Sequence, residues 1–260
     1  MGVVNVTADS FSDGGRFLAG SAAVAHGSRL LGEGADMLDV GGESTRPGAT
    51  QMAAEAEAER VVPVIRELCA HHPKALISVD TSKAVVAQAA LDAGATLVND
   101  VSAGRDPAML PLVARSGAGV VLMHMRGEPR TMQDDTEYAD VVAEVHAFLG
   151  ECAAAAERAG VPAGRVLLDP GIGFGKDVAG NLRLLAALGD LAALGRAVVV
   201  GASRKSFIGT LTGAGVSERL PGSLAALAGA ASLGRVVVRV HDVAATVQFL
   251  TVLTAILGAR

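Results

Sequence analysis

Hydrophobic positions along this chain come in two textures. Short, nearly unbroken Val/Ile/Leu runs alternate with longer Ala-rich stretches, and the runs are GVVNV, DMLDVGG, ALISVD, TLVND, GVVLMH, RVLLD, AVVVGAS and VVVRVH. Apolar runs of about four to six residues suit strands buried on both faces, as in a parallel sheet covered by helices. The intervening stretches read as helices: AAVAHGSRLLGEG, EAEAERVVPVIRELCA, KAVVAQAALDAG, PAMLPLVARSG, YADVVAEVHAFLGECAAAAERAG, NLRLLAALGDLAALG, the segment from Lys205 to Leu233, and HDVAATVQFLTVLTAILG. GAD, GAT and GAG stand just before the second, fourth and fifth runs, where a glycine can close the preceding helix.

Eight strand–helix units in 260 residues have the rhythm of an α/β protein built as a single (β/α)8 TIM barrel, with its active site at the C-terminal rim of the strands. A doubly wound open sheet would normally carry fewer strands at this length. No Gly- or Ser-rich linker divides the chain, which reads as one domain over residues 1–260. Polar residues fall at or just past the run ends: Asn5, Asp39, Glu43, Asp80, Asn99, Asp100, His124, Asp169, Ser203, Arg204, Lys205, Arg239 and His241. In a barrel these ends share one rim. A helix N-cap would account for some of the polar residues there, with Thr81, Asp100 and Ser102 the clearest cases. It does not account for Asn5, Asp80 and Asp169. These end hydrophobic strands and would be buried without a ligand or a polar network.

Composition narrows the partners. Only 3% of residues are aromatic and the net charge is −5, with no basic run. That is a poor basis for stacking single-stranded nucleic acid or for holding an anionic membrane, so small molecules are the expected partners, with no nucleic acid and no membrane. Cys69 and Cys152 lack metal-ligand spacing and read as free, buried thiols of a reducing compartment. The histidines form no HxxxH pair, and His71–His72 ahead of Pro73 suits a helix end. The start lacks the features of a signal peptide, and VQFLTVLTAIL is too short to span a bilayer. The expected location is the cytoplasm.

The rim suggests its own chemistry. Asp169 in LLDPGIGFGK and Lys205 in GASRKSF can face a flat heteroaromatic ring from different sides. The carboxylate would accept paired hydrogens from an amino-pyrimidinone edge and the ammonium would donate to ring nitrogen and carbonyl oxygen, both as charge-assisted bonds. Arg239 and His241 alternate along the last strand and so project the same way. Two readings stand for them: a phosphate site, as late barrel loops often provide, or an Arg–Asp ion pair beside a satisfied histidine. GIGFGK lacks the GxxxxGK[ST] spacing of a nucleotide loop, and no GxGxxG is present. GGESTRPGA after the second run reads either as an active-site lid or as a solvated connector.

Taken together, MGVVNVTADSFSDGG, DVGGESTRPGA, SVDTSK, VNDVSAG, LMHMRGEPRTMQ, LLDPGIGFGK, GASRKSFIG and VRVHDV resemble the dihydropteroate synthases, the pterin-binding barrel enzymes of bacterial folate synthesis. The resemblance runs from Gly2 through the final helix, one motif per strand end. It implies that Asp80, Asn99, Asp169 and Lys205 hold a pterin. It places Asn5, Thr45, Arg239 and His241 on a substrate diphosphate, with Asn5 touching the Mg²⁺ that the diphosphate carries. Para-aminobenzoate is implied near Thr45, Pro47, Phe174, Lys205 and Ser206, and Asp13 and Arg46 complete the catalytic set with Lys205. Residues 7–15 and the STRPGA segment are implied to be closing loops.

The reaction implied condenses 6-hydroxymethyl-7,8-dihydropterin diphosphate with para-aminobenzoate, and sulfonamides are implied to compete with the latter. The resemblance further implies a homodimer, which the apolar last helix allows, although the same surface could pack on the barrel. Two features depart from the family pattern. The lead-in ahead of MGVVNVT is short or missing, and Ala8 stands where many relatives have proline. Two other readings differ in what they need. A pterin-binding methyl transferase has less use for Arg239 with His241, and a silent pterin-binding paralogue predicts damaged loops, which are not seen.

Overall fold

A computed structural model of the chain describes residues 1–6, 15–44 and 52–259, with the backbone alone over 15–19. Asp13, Thr45, Arg46 and Pro47 lie outside the described residues. Eight strands appear where the apolar runs place them: β1 (Gly2–Asn5), β2 (Met37–Gly41), β3 (Leu76–Asp80), β4 (Leu97–Asp100), β5 (Gly119–Met123), β6 (Val166–Asp169), β7 (Ala197–Val200) and β8 (Val236–Val238). They form one sheet in sequence order, every pair parallel. Just past β8, Val240 pairs with Gly2, donates to the Met1 carbonyl at 3.0 Å and accepts from the Val3 amide at 3.0 Å, which closes the barrel. Val4, Leu38, Val40, Ile77, Val79, Val98, Val120, Leu122, Leu168, Val198 and Val200 are buried throughout, as strands between a barrel interior and a helical shell must be.

The shell is α1 (Gly15–Gly32), α2 (Ala54–His71), α3 (Ala84–Asp92), α4 (Met109–Ser116), α5 (Val141–Arg158), α6 (Val178–Ala186), α7 (Leu188–Ala192), α8 (Ser206–Thr212), α9 (Leu220–Ala225) and α10 (Val243–Gly258). Gly34, Gly94 and Gly117, the glycines of GAD, GAT and GAG, all take positive φ after their helices, a conformation that costs other residues a Cβ clash. His71 ends α2, and the His72 amide returns to the Leu68 carbonyl at 2.8 Å.

Two stretches differ from the expected single helices. NLRLLAALGDLAALG breaks at Ala187 into α6 and α7. The segment from Lys205 to Leu233 splits into α8 and α9 between Gly213, at φ 75°, and Pro221 in the first turn of α9. Cys69 and Cys152 are free as expected, but half-buried rather than buried. α10 packs inward through Val243 and Thr246, with Phe249 partly buried against the core, while Val252 and Ile256 are 55% and 56% exposed. Among the described residues no helix is long and apolar enough to cross a membrane.

Candidate functional site

One register row builds the mouth of the barrel. Asn5 pairs with Gly41, Gly41 with Asp80 and Asp80 with Asn99, so the ends of β1 to β4 lie level. Strand alternation puts Asp39 on the same face as Gly41, one step deeper. Gly41 itself must stay small, because a Cβ there would lie 3.3 Å from the Asp80 Cβ and 3.5 Å from its Oδ2. Asn5 is exposed at the end of β1, unlike the buried position its sequence context suggests.

Arg239 is tied to two carboxylates at once. Its Nε donates to Asp39 Oδ2 at 2.7 Å and its Nη2 to Asp80 Oδ2 at 2.8 Å, while Asn99 Nδ2 donates to the same Asp39 oxygen at 2.9 Å. The residue therefore forms the Arg–Asp ion pair, doubled. Nη1 has no partner among the described residues, so a donor is left over. Burial would lower the Arg239 pKa, but Asp39 and Asp80 hold it above its usual value. Burial pushes Asp80 up, with Arg239 opposing. Asp39 is fully buried, and its Oδ1 has no partner among the described residues.

His241 is held from one side by Ser203. The Ser203 hydroxyl accepts from the His241 amide at 3.3 Å and meets Nδ1 at 3.0 Å. Burial, with Arg204 and Arg239 nearby, pulls its pKa down to about 4. The imidazole is thus neutral, and with Nδ1 taking the hydroxyl proton its Nε2–H is the remaining donor. Arg204, counted among the rim cations, is committed to Asp242 through Nε at 3.0 Å and Nη2 at 2.5 Å.

The opposite side, β5 to β7, is built differently. Asp169 is buried, and its Oδ1 accepts from the Gly171 amide at 2.7 Å. Burial raises its pKa, while the Gly171 N–H and then Lys205 oppose the rise. Lys205 Nζ lies 3.9 Å from the centre of the Phe174 ring and forms no ion pair among the described residues. Burial and Arg239 pull it down to about 8, with Asp169 and Asp80 opposing. Ser206 opens α8 and is exposed, and Phe174 is buried with Met123, Met125, Met132 and Val101.

Three residues that the sequence left without a role complete the picture. Asp39 joins Asn99 to Arg239. Lys176, at the end of GIGFGK, is 3% exposed and sits among the carbonyls of Gly171, Phe174 and His124. Lys83, just ahead of α3, bridges Glu43 and the buried Glu57 and so ties the base of the loop after β2 to α2. Asp100 is buried but caps no helix. Its Oδ1 accepts from the Ser102 amide and hydroxyl and its Oδ2 from the Gly104 amide, which organises the turn after β4. Thr81 accepts from the Lys83 amide at 3.2 Å, and it is Asp106 that caps α3, through the Ala84 amide at 2.9 Å.

A cavity of about 540 Å³ opens over the β3–β5 part of the rim, lined by Asp80, Lys83, Val101, Ser102, Arg105 and Met125 among others. Of Asp80, Asn99, Asp169, Lys205 and Arg239, only Asp80 lines it. Among the described residues no cluster of three or more His, Cys, Asp or Glu is placed to hold a metal ion. The arrangement instead offers a carboxylate, an amide, an ammonium and a guanidinium converging on a half-buried mouth, the donor and acceptor set for a flat polar heterocycle.

Comparison with known proteins agrees with this geometry. The family model for pterin binding enzymes matches residues 1–241. The dihydropteroate synthase of Escherichia coli K12 is 46% identical over 260 residues, covering all of this chain and 92% of that protein. The structure of Xanthomonas albilineans dihydropteroate synthase with 4-aminobenzoic acid superposes at a TM-score of 0.91 with 54% identity, over 99% of this chain and 92% of that one. The same enzyme in complex with 7,8-dihydropteroate aligns over the same shares at 0.88 and 50% identity. With a family match over residues 1–241, a relative 46% identical over the full chain and a closed parallel barrel, the chain belongs to the pterin binding enzyme family.

Proposed function

We propose that this chain is a dihydropteroate synthase, joining 6-hydroxymethyl-7,8-dihydropterin diphosphate to para-aminobenzoate to give 7,8-dihydropteroate and diphosphate. The observation that carries the reading is the converging set Asp80, Asn99, Asp169, Lys205 and Arg239, set in a full-length likeness to enzymes solved with the aminobenzoate and with the product. Asp169 accepts from the amino-pyrimidinone edge, Lys205 donates to the ring from the other side, and Asp80 and Asn99 complete the pterin set. The free Arg239 donor and the His241 Nε2–H bind the diphosphate, together with Asn5 and Thr45. Phe174, Ser206, Thr45 and Pro47 hold para-aminobenzoate, and Asp13 and Arg46 close over it.

Asn5 fits a Mg²⁺ that arrives on the substrate: a single exposed amide oxygen at the rim suits an ion that keeps waters and takes phosphate oxygens. When bound, Mg²⁺ would neutralise charge on the departing diphosphate. The aniline nitrogen forms the new N–C bond as the methylene C–O bond breaks. The bonding pair leaves with diphosphate, and the surplus proton on nitrogen passes to water. A neutral arylamine is already a nucleophile, so the protein's work is to align it and to stabilise the negative charge that departs. One lost charge contact of this kind costs about 3 kcal/mol, or about a hundredfold in rate.

Incubating the protein with the dihydropterin diphosphate, para-aminobenzoate and Mg²⁺ should yield dihydropteroate and diphosphate. A folded protein that makes neither refutes the reading. Sulfonamide inhibition should ease as para-aminobenzoate rises, which tests the second pocket. The chain is further proposed to act in the cytoplasm as a homodimer, with a second copy covering the apolar, exposed end of α10. Sedimentation of the protein, and of Val252→Glu, checks that interface.

A further inference from the structure

The loop after β6 carries two of the contacts that define the ring-binding side: the Gly171 amide on Asp169 and the Phe174 ring against Lys205. Beside the Tyr138 hydroxyl, which donates to the Gly175 carbonyl at 2.7 Å, one buried ammonium gathers the carbonyls of this loop. Lys176 Nζ donates to the Gly171 carbonyl at 2.9 Å, to the Phe174 carbonyl at 2.8 Å and to the His124 carbonyl at 3.3 Å, and it meets His124 Nδ1 at 3.0 Å. His124 belongs to the next loop, after β5, and burial drops its pKa to about 3, so its Nδ1 can accept. No carboxylate lies within ion-pair distance of Lys176 among the described residues. Burial pulls the Lys176 pKa down to about 7, and what opposes that fall is the more distant charge of Asp169, with the backbone dipoles and one imidazole in direct contact.

The backbone is shaped around that ammonium. Gly171, Gly173 and Gly175 all have positive φ, and a Cβ on Gly171 would stand 1.9 Å from the His124 carbonyl oxygen. The close approach lets the carbonyls of both loops reach one point. Asn181 of α6 seals the far side, accepting from the Gly173 amide at 2.6 Å and donating to the Lys176 carbonyl at 3.2 Å. Without the ammonium, buried carbonyls would face one another with no donor between them, which favours an opened loop.

We propose that Lys176 is a positioning residue of the pterin pocket: its ammonium curls the loop after β6 so that the Gly171 N–H and the Phe174 ring hold Asp169 and Lys205 ready for a flat ring before any ligand arrives. The inference rests on the reading that Asp169 and Lys205 bind the pterin.

Titration calorimetry with 6-hydroxymethyl-7,8-dihydropterin diphosphate and Mg²⁺, without para-aminobenzoate, tests it on Lys176→Met, Asp169→Asn and the double variant. Lys176→Met should weaken binding at least tenfold. The double variant should bind at least fivefold tighter than the product of the single effects predicts, because the two act through one contact. A folded Lys176→Met within twofold of wild type, or effects that simply multiply, overturns the inference. Asp169→Asn with unchanged affinity overturns the pterin reading itself, and this inference with it.

Should Lys176→Met not fold, hydrogen exchange in the wild-type, ligand-free protein decides. The Gly171 and Phe174 amides should exchange as slowly as the β6 core. Exchange at the rate of an open loop refutes the preset geometry.

Discussion

The two sides of the barrel mouth treat buried charge in opposite ways. On the β2–β3–β8 side, guanidinium meets carboxylate directly, and Arg239, Asp39, Asp80 and Asn99 form one bonded cluster. On the β5–β7 side, Asp169, Lys176 and Lys205 make no ion pair among the described residues and rely on amides, carbonyls and an aromatic face. A paired cluster holds its own geometry. An unpaired acid and base hold unspent electrostatic free energy, which a ligand with matching donors and acceptors can use. The first side should therefore answer to mutation mainly in stability, and the second mainly in binding.

The largest expected effect is on the unpaired side. Asp169→Asn should cost about a hundredfold in pterin-diphosphate affinity by calorimetry, through the loss of charge-assisted bonds. Thermal stability should not fall. A clear drop in Tm with intact affinity would reverse the assignment of the two sides.

Lys205→Met should follow at about thirtyfold. Its pH behaviour is more telling. With the folded pKa near 8 and the ordinary value at 10.5, the ammonium is lost from the folded protein first. Pterin affinity should then decline as pH rises through about 8, while the stability of the ligand-free protein rises between 8 and 10.5, because the unfolded chain there binds more protons. The affinity decline near pH 8 should vanish in Lys205→Met, whereas part of the stability rise should persist there, because Lys176, with its folded pKa near 7, contributes in the same direction. An alkaline limb in affinity that survives the substitution belongs to another group.

The smallest effect on binding is expected at Asp39. Asp39→Asn leaves Arg239 with one carboxylate and should cost about tenfold in affinity, acting through Arg239 and Asn99. Removing one member of a buried ion pair should lower Tm by about 5 °C. If Asp39→Asn leaves Tm unchanged, the bonded cluster is not the stable half of the mouth.

The strand ends were legible in the sequence because a polar residue closing a doubly buried run stands out, and Asp80, Asn99 and Asp169 occupy the mouth accordingly. The role of Asp39 was not. It depends on Asn99 and Arg239, 60 and 200 positions away, brought near only by the closure of the barrel. The sequence left Arg239 between two readings for the same reason. Lys176 carries no spacing signal at all, since a lysine after GIGFG points inward only when His124 waits across the loop. Ala187 gave no sign of the break between α6 and α7, for its neighbours are leucines and alanines that favour helix on both sides.

The seam between Val240 and Gly2 bears on how the protein reaches its working form. Every other strand pairing described joins neighbours along the chain and can zip locally, whereas this one spans nearly the whole polypeptide. Contacts of such separation form late, because a long loop must be closed before they yield anything. Arg239 sits beside that seam and meets Asp39 and Asp80 only once it shuts. Completion of the mouth is then tied to the last step of folding: a chain with seven strands assembled has nearly all its secondary structure and no Arg239–Asp39–Asp80 cluster. In a refolding experiment, ligand binding should return as a slow phase behind the far-ultraviolet signal.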